Sequence, residues 1–583
     1  MTPATAWVSG AEDAQPVPSQ EVLRGLGVGR GCVVAPVVVL AAPARVPTDE
    51  PVPADLEVAE AQLRGALGAV AADLRRQADE ATLASLRDML QAAGTIAADP
   101  ALAAESVRLL RSGLGPATAV DRAVGQFAEV FAAAGGALAE RVTDLRSVRH
   151  RVVARLLGVP EPGLPTLTGP TVVVAEDLSP ADTAGVDLHH TVAIVTELGG
   201  RTSHTAIIAG QLGLPCVVQV TGVTAVTPGT RVLVDAAAGT ITVAPTEDQT
   251  QEAARRQERA RRLADDLSAG ATADGHPVAL LANIGTAEDA DRAAETVQEG
   301  VGLFRTEVLF LDRATAPTVA QQISAYRTVV RAYAGHKVVV RTLDAGADKP
   351  LAFVRTTTEE NPALGVRGYR LVRTAAPLLE AQLEALGSVI AMLPAERQTD
   401  VWVMAPMIAT AAEARAFALS ARAAGVQRVG VMVEVPAAAL SASEILAEVD
   451  FVSLGTNDLA QYTMAADRLR GELSDLLDPW QPAILALVAG TATAGAHLHK
   501  PVGVCGESAA DPLMALVLVG LGVTSLSMAP AAVPAVRYAL AHHTLEQCRA
   551  IAEVARGAVD AAGGRSAAAA SMDAEVRDVL GLG

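Results

Sequence analysis

Apolar positions along the chain change their period several times, and each change marks a different kind of element. Residues 1–20 show no period and read as a loose leader. Glycines at 25, 27, 29 and 31 then precede the β-branched run Val33–Val39, which predicts a turn followed by a strand. Further on, Leu56, Leu63, Leu67, Val70 and Leu74, then Leu83, Leu86 and Leu90, then Val120, Val124, Phe127 and Phe131 recur at helical spacing. Each set lies on one helix face, which predicts a helical bundle up to residue 157. Short β-rich runs follow at Thr171–Ala175, Thr191–Thr196, Cys216–Val220 and Arg231–Val234, the pattern of a compact α/β unit. The Val33–Val39 strand is assigned to that unit, which makes the bundle an insertion.

Residues 247–267 are polar on nearly every face and predict a solvated connecting helix about 30 Å long. Beyond them eight apolar runs recur, each ending in polar or glycine residues and followed by a helical stretch. They are Val278–Asn283, Gly300–Arg305, Val338–Arg341, Val401–Pro406, Val429–Glu434, Phe451–Gly455, Pro501–Cys505 and Ser525–Met528. Eight βα repeats specify a TIM barrel, whose chemistry sits at the C-terminal strand ends. The expected fold class is α/β and multidomain. The α/β domain takes 21–48 and 158–245, the helical insertion 49–157, the linker helix 246–271 and the C-terminal TIM (β/α)8 barrel 272–583.

Composition narrows the partners. A net charge of −19 with only 15 aromatic residues supplies neither the basic face nor the stacking platforms of a nucleic-acid binder. The first residues lack a basic-then-apolar leader, and no apolar run approaches the ~18 residues of a membrane span. Cys32, Cys216, Cys505 and Cys548 are scattered without CxxC pairing, so a reducing cytoplasm and no membrane insertion are expected. Lys337, Lys349 and Lys500 are the only lysines.

The segment Gly199-Gly200-Arg201-Thr202-Ser203-His204-Thr205 places two glycines and small hydroxyls before a histidine that opens an apolar helix. Free N–H groups and the positive dipole end there suit a phosphoryl group, and neutral imidazole is a competent nucleophile for one. An ordinary N-cap histidine fits the same residues. In the barrel, Asn283, Arg305, Arg341, Glu434, Asn457, Asp458 and Cys505 fall at strand ends. Glu434 and Asp458 end consecutive strands and could hold Mg²⁺, although Glu434 could equally pair with an arginine. Cys505 is either a buried structural cysteine or a thiol that delivers a proton at the barrel mouth.

Residues 199–208 closely resemble the phosphohistidine loop shared by enzyme I of the phosphoenolpyruvate sugar phosphotransferase system, pyruvate phosphate dikinase and phosphoenolpyruvate synthase. Barrel stretches resemble the same family: GVGLFRTEVLFL at 300–311, VRTLDAGADK at 340–349, NPALGVRGYR at 361–370, GVMVEVPAA at 430–438, GTNDLAQY at 455–462 and VCGESAAD at 504–511. A helical insertion ahead of the loop, without room for a large nucleotide domain, resembles enzyme I specifically. The resemblance implies His204 as phosphohistidine, Arg305, Arg341, Arg468, Asn457 and Asp458 as substrate-binding, and Lys349 and Arg367 as second-line candidates. It further implies Glu434 and Asp458 as Mg²⁺ ligands and Cys505 as proton donor. Guanidinium forks match the phosphate and carboxylate of phosphoenolpyruvate.

The expected activity is therefore that of a phosphoenolpyruvate-protein phosphotransferase passing its phosphoryl group to the phosphocarrier protein HPr, with a homodimer implied by the family. A dikinase or synthase charged from ATP, and a phosphoenolpyruvate sensor without turnover, are the alternatives. The chain departs from the family pattern at Ala347, Gly210 and Leu469-Arg470, and Leu86–Pro100 lacks the aromatic and histidine often found in enzyme I.

Overall fold

A computed structural model describes the chain except residues 1–20, 29–30, 41–43, 45, 81–83, 135–140, 160–166, 179–189, 201–204, 207–208, 210–213, 298, 312, 314, 347–350, 355–358, 469–472, 474 and 583. The chain forms two compact units, residues 1–258 and 259–583. The expected leader lies outside the described residues.

The first unit is built on strands β1 (Val22–Arg24), β2 (Leu26–Val28), β3 (Cys32–Val39), β4 (Thr171–Ala175), β5 (Thr191–Thr196), β6 (Cys216–Val218), β7 (Arg231–Asp235) and β8 (Thr240–Val243). They form one sheet in the order β1-β8-β7-β3-β4-β5-β6-β2. β3 bridges its two parts, since Cys32–Pro36 pairs antiparallel with β7 while Val37–Val39 pairs parallel with β4. Parallel neighbours need a long crossover, and here that crossover is the whole helical bundle. Its helices are α1 (Leu56–Glu80), α2 (Ala84–Ala97), α3 (Pro100–Arg111), α4 (Pro116–Ala134) and α5 (Val142–Leu157). Leu63, Leu67, Val70, Leu74, Leu90, Val120 and Val124, which recur at helical spacing, are buried in one core. Asp99 caps α3 by accepting from the Ala101 amide at 2.7 Å, and Pro100 opens the helix.

Two expectations need correction. The glycines at 25 and 27 were expected to make a turn, but they lie in and between β1 and β2. A Cβ on Gly25 would sit 2.4 Å from the Val218 carbonyl, and one on Gly27 would sit 1.8 Å from that of Ala236, so these glycines serve close packing. The linker also ends earlier than expected. Helix α6 covers Glu247–Ala264, and the Asp266 carboxylate then accepts from the Ser268 amide at 2.9 Å, turning the chain. Residues 266–271, read as linker, are bonded into the barrel: Arg537 donates to the Asp266 carbonyl, Glu299 accepts from the Gly270 amide, and Ala271 bridges Pro277.

The second unit is a closed parallel barrel of β9 (Ala279–Ile284), β10 (Gly300–Arg305), β11 (Lys337–Arg341), β12 (Val401–Ala405), β13 (Arg428–Val433), β14 (Phe451–Leu454), β15 (Val502–Val504) and β16 (Ser525–Met528). The last strand pairs with the first, Ser525 opposite Ala279. Every one of the eight apolar runs supplies one of these strands. Inside, Leu303, Val339, Met404, Met432 and Phe451 pack into a plug that also includes Cys505, so the thiol is set against an apolar floor. Among the described residues no helix is long and apolar enough to cross a membrane.

Candidate active site

Parallel strands of a barrel share one direction, so the residues that end them converge on one mouth. Arg305 ends β10 and Arg341 ends β11, and the two stand directly opposite in the register. Arg305 is exposed. Arg341 is buried; its Nη2 donates to Glu307 Oε1, and its Nη1 lies 3.3 Å from Asp344 Oδ2. Burial alone would lower this guanidinium, but the carboxylates of Glu307, Asp344 and Glu434 outweigh it and hold Arg341 above its ordinary value, permanently charged. Arg341 Nε has no hydrogen-bond partner.

Arg367 is also buried. It lies 3.4 Å from Asp344 Oδ2 and 3.3 Å from Asp458 Oδ1, and donates to the Tyr462 hydroxyl at 3.4 Å. On its other oxygen Asp458 faces Arg468 Nη1 at 3.7 Å. Glu434 follows β13 and is buried, with Oε2 accepting from the Met407 amide at 2.9 Å. Met407 holds a left-handed backbone (φ 59°), a strained conformation for a methionine. Gly455 leaves room for the carboxylate, since a Cβ there would come within 2.7 Å of Glu434 Oε1. Burial raises Glu434 well above the carboxylate range, and the negative charges of Asp458 and Asp344 raise it further.

Cys505 follows β15, buried, its thiol directed at the Leu454 carbonyl 3.6 Å away. Burial pushes the thiol up to about 11, Glu434 adds to the rise, and Ser453, Arg341 and Arg305 oppose it. The thiol is therefore protonated at neutral pH. Asn457 is exposed in the first turn of the helix that follows β14 and ties it to the turn that follows β15, accepting from the Glu507 amide at 3.2 Å.

Arg305, Arg341, Arg367, Glu434, Asn457, Asp458, Arg468 and Cys505 thus gather at one end of the barrel. His204 and Lys349 lie outside the described residues. Next to His204, Thr205 is buried and donates to the Leu178 carbonyl at 3.3 Å. Sequence reasoning missed Glu307 and Asp344, the two carboxylates that hold Arg341. Their signal was a carboxylate two residues after Arg305 and another three after Arg341. Asn283, at a strand end, turns inward as a tie, donating to the Cys505 and Ser527 carbonyls at 3.3 Å.

Three family profiles match in order: PEP-utilising enzyme, N-terminal, over 24–141; PEP-utilising enzyme, mobile domain, over 167–239; and PEP-utilising enzyme, PEP-binding domain, over 259–545. A phosphoenolpyruvate-protein phosphotransferase of Streptomyces coelicolor is 48% identical over 560 residues, covering 95% of this chain and 100% of the relative. The chain belongs to the phosphoenolpyruvate-protein phosphotransferase family. Relatives of the same name from Haloferax volcanii and Geobacillus stearothermophilus are 41% and 40% identical, over 76% and 71% of this chain and 80% and 74% of their own lengths. Family membership makes the chain an enzyme, and the resemblance seen in residues 199–208 and the barrel motifs extends over nearly the whole of it.

Proposed function

We propose that this chain transfers the phosphoryl group of phosphoenolpyruvate to its own His204 and then to the histidine of the phosphocarrier protein HPr, releasing pyruvate. The observation that carries this reading is the grouping at one barrel mouth of two opposed arginines, a buried carboxylate pair and a protonated thiol. Phosphoenolpyruvate needs two anion holders, charge neutralisation on its phosphate and a proton for its methylene carbon.

Arg305, Arg341, Arg468 and Asn457 bind the substrate, Arg341 being aligned by Glu307 and Asp344. Arg367 holds Asp344 and Asp458 in place, and Lys349 is a further candidate contact. The P–O bond to the enol oxygen breaks as the P–N bond to His204 forms. The enolate electrons close the carbonyl while its methylene carbon takes the Cys505 proton, giving pyruvate; the thiolate regains a proton from water. A thiol near 11 holds its proton until a carbanion demands it.

Glu434 and Asp458 fit a hard divalent cation: both donors are oxygens, they repel each other, and Asp458 Oδ1, although 3.3 Å from Arg367, accepts no hydrogen bond. We assign Mg²⁺, which when bound neutralises phosphate and enolate charge. Four free cysteines support a cytoplasmic setting, and a homodimer follows from the family resemblance.

The test is incubation with labelled phosphoenolpyruvate and Mg²⁺, then peptide mapping in alkali. Label on His204, lost in His204→Ala while phosphoenolpyruvate binding persists, is the expected result. Label on another residue, or equal loss of binding, refutes the reading.

A further inference from the structure

Behind the mouth, on the side away from solvent, runs a buried polar chain that the proposed reaction does not use. It centres on Gln382, which is fully buried on the helix Val372–Ala391 among Leu383, Leu386 and Val389. An amide in such a position costs stability unless its hydrogen bonds are met. Gln382 Oε1 accepts from the Leu343 amide at 2.8 Å, and its Nε2 donates to Thr306 Oγ1 at 3.0 Å and to the Tyr326 hydroxyl at 2.9 Å. Thr306 in turn donates to the Arg341 carbonyl at 2.8 Å. Tyr326 donates to Gln322 Oε1 at 3.0 Å, and Gln322 donates to the Pro317 carbonyl at 3.2 Å. Burial raises the Tyr326 hydroxyl above its ordinary value, so the chain stays neutral.

Besides Tyr326, the bonds of Gln382 end beside the two arginines. Thr306 is the residue after Arg305, and Leu343 is two residues after Arg341. Arg305 and Arg341 stand directly opposite each other across β10 and β11, with Glu307 and Asp344 offsetting the charge of Arg341. The ladder between them is irregular, its register shifting between Val301 and Phe304. We infer that Gln382 is a positioning residue which, through Thr306 and the Leu343 amide, fixes the separation of Arg305 and Arg341 and so matches them to a ligand carrying two anionic groups. This inference rests on the assignment of those arginines to phosphoenolpyruvate.

A spacing device matters to a two-headed ligand and little to a one-headed one, which a general loss of stability would not reproduce. The variants are Gln382→Met, close in shape but without the amide, and Thr306→Val, with Thr306→Ser restoring the hydroxyl. In the full chain with Mg²⁺, binding of phosphoenolpyruvate and of inorganic phosphate is measured separately. Gln382→Met and Thr306→Val are expected to weaken phosphoenolpyruvate by about tenfold and phosphate by less than about twofold, with KM rising more than kcat falls and Thr306→Ser near wild type. Should Gln382→Met fail to fold, the Thr306 pair carries the test.

Equal weakening of both ligands, or unchanged phosphoenolpyruvate affinity, overturns the inference. The exposed Arg305→Ala separates it from the reading beneath. Lost affinity there with none lost at Gln382 or Thr306 removes Gln382 alone, whereas full affinity in Arg305→Ala removes both.

Discussion

Cys505 shows what its surroundings do to one side chain. An ordinary thiol is partly ionised at mildly alkaline pH, yet burial on an apolar floor keeps this one protonated beside two arginines. Cys505→Ala leaves the arginines and carboxylates in place, so turnover should fall by about 10²–10⁴ while phosphoenolpyruvate affinity changes little. Paired steady-state and binding measurements check this, and wild-type turnover would return the residue to a packing role. Lys337 is shifted the other way at the opposite end of the barrel. Burial lowers it to about 8, against a pull upward from Glu299, and its ammonium lies 4.8 Å from the centre of the Trp402 ring. Between pH 8 and its unfolded value of 10.5 the folded state binds fewer protons than the unfolded one, so this group makes stability rise with pH over that window. Lys337→Met should flatten that rise, seen as denaturant midpoints compared with wild type from pH 7 to 10.5. A parallel pH course in the variant would show that the shift is absent. Strand-end position and the family resemblance singled out Arg305, Glu434 and Cys505 as candidates. They did not identify Glu307 or Asp344 as the groups that keep Arg341 charged, because two carboxylates near an arginine in sequence are usually solvated.

At the scale of elements, a helix is legible when its apolar face repeats, and a short strand when its apolar run recurs within a βα pattern. The bundle helices met the first condition and the barrel strands, β14 to β16 only three or four residues long, met the second. β1, β2 and β8, equally short, belong to no such recurrence, and Gly25 and Gly27 interrupt the first two. Their glycines mark contact, not turning. Gly27→Ala should therefore destabilise the first unit by about 1–3 kcal/mol, since its Cβ would overlap the Ala236 carbonyl and one strand must move. Chemical denaturation of the variant measures this, and a loss below about 0.5 kcal/mol would mean the strand relaxes freely. The bundle's place between β3 and β4 followed from assigning one early strand to a later sheet, and the pairing of Val37–Val39 with Val172–Val174 bears out that inserted topology.

In the whole molecule, the expected nucleophile and the candidate groups gathered at the barrel mouth belong to different compact units. A fragment of residues 259–583 keeps the closed barrel and the lead-in bonds of Asp266, Gly270 and Ala271, so it should fold, bind phosphoenolpyruvate and acquire no label. A fragment cut at 272 severs those bonds and should melt lower; equal melting temperatures would make the lead-in dispensable. What the sequence by itself determined was the α/β class, the inserted bundle and the barrel, along with a set of candidate groups at its strand ends, because periodicity and motif order are properties of neighbours along the chain. Only the tertiary structure decided which carboxylates hold Arg341, how far Cys505 is from ionising, and that an amide 76 residues from Thr306 lies 3.0 Å from its hydroxyl. Charge compensation, desolvation and hydrogen bonding depend on distance through space, which separation along the chain does not encode.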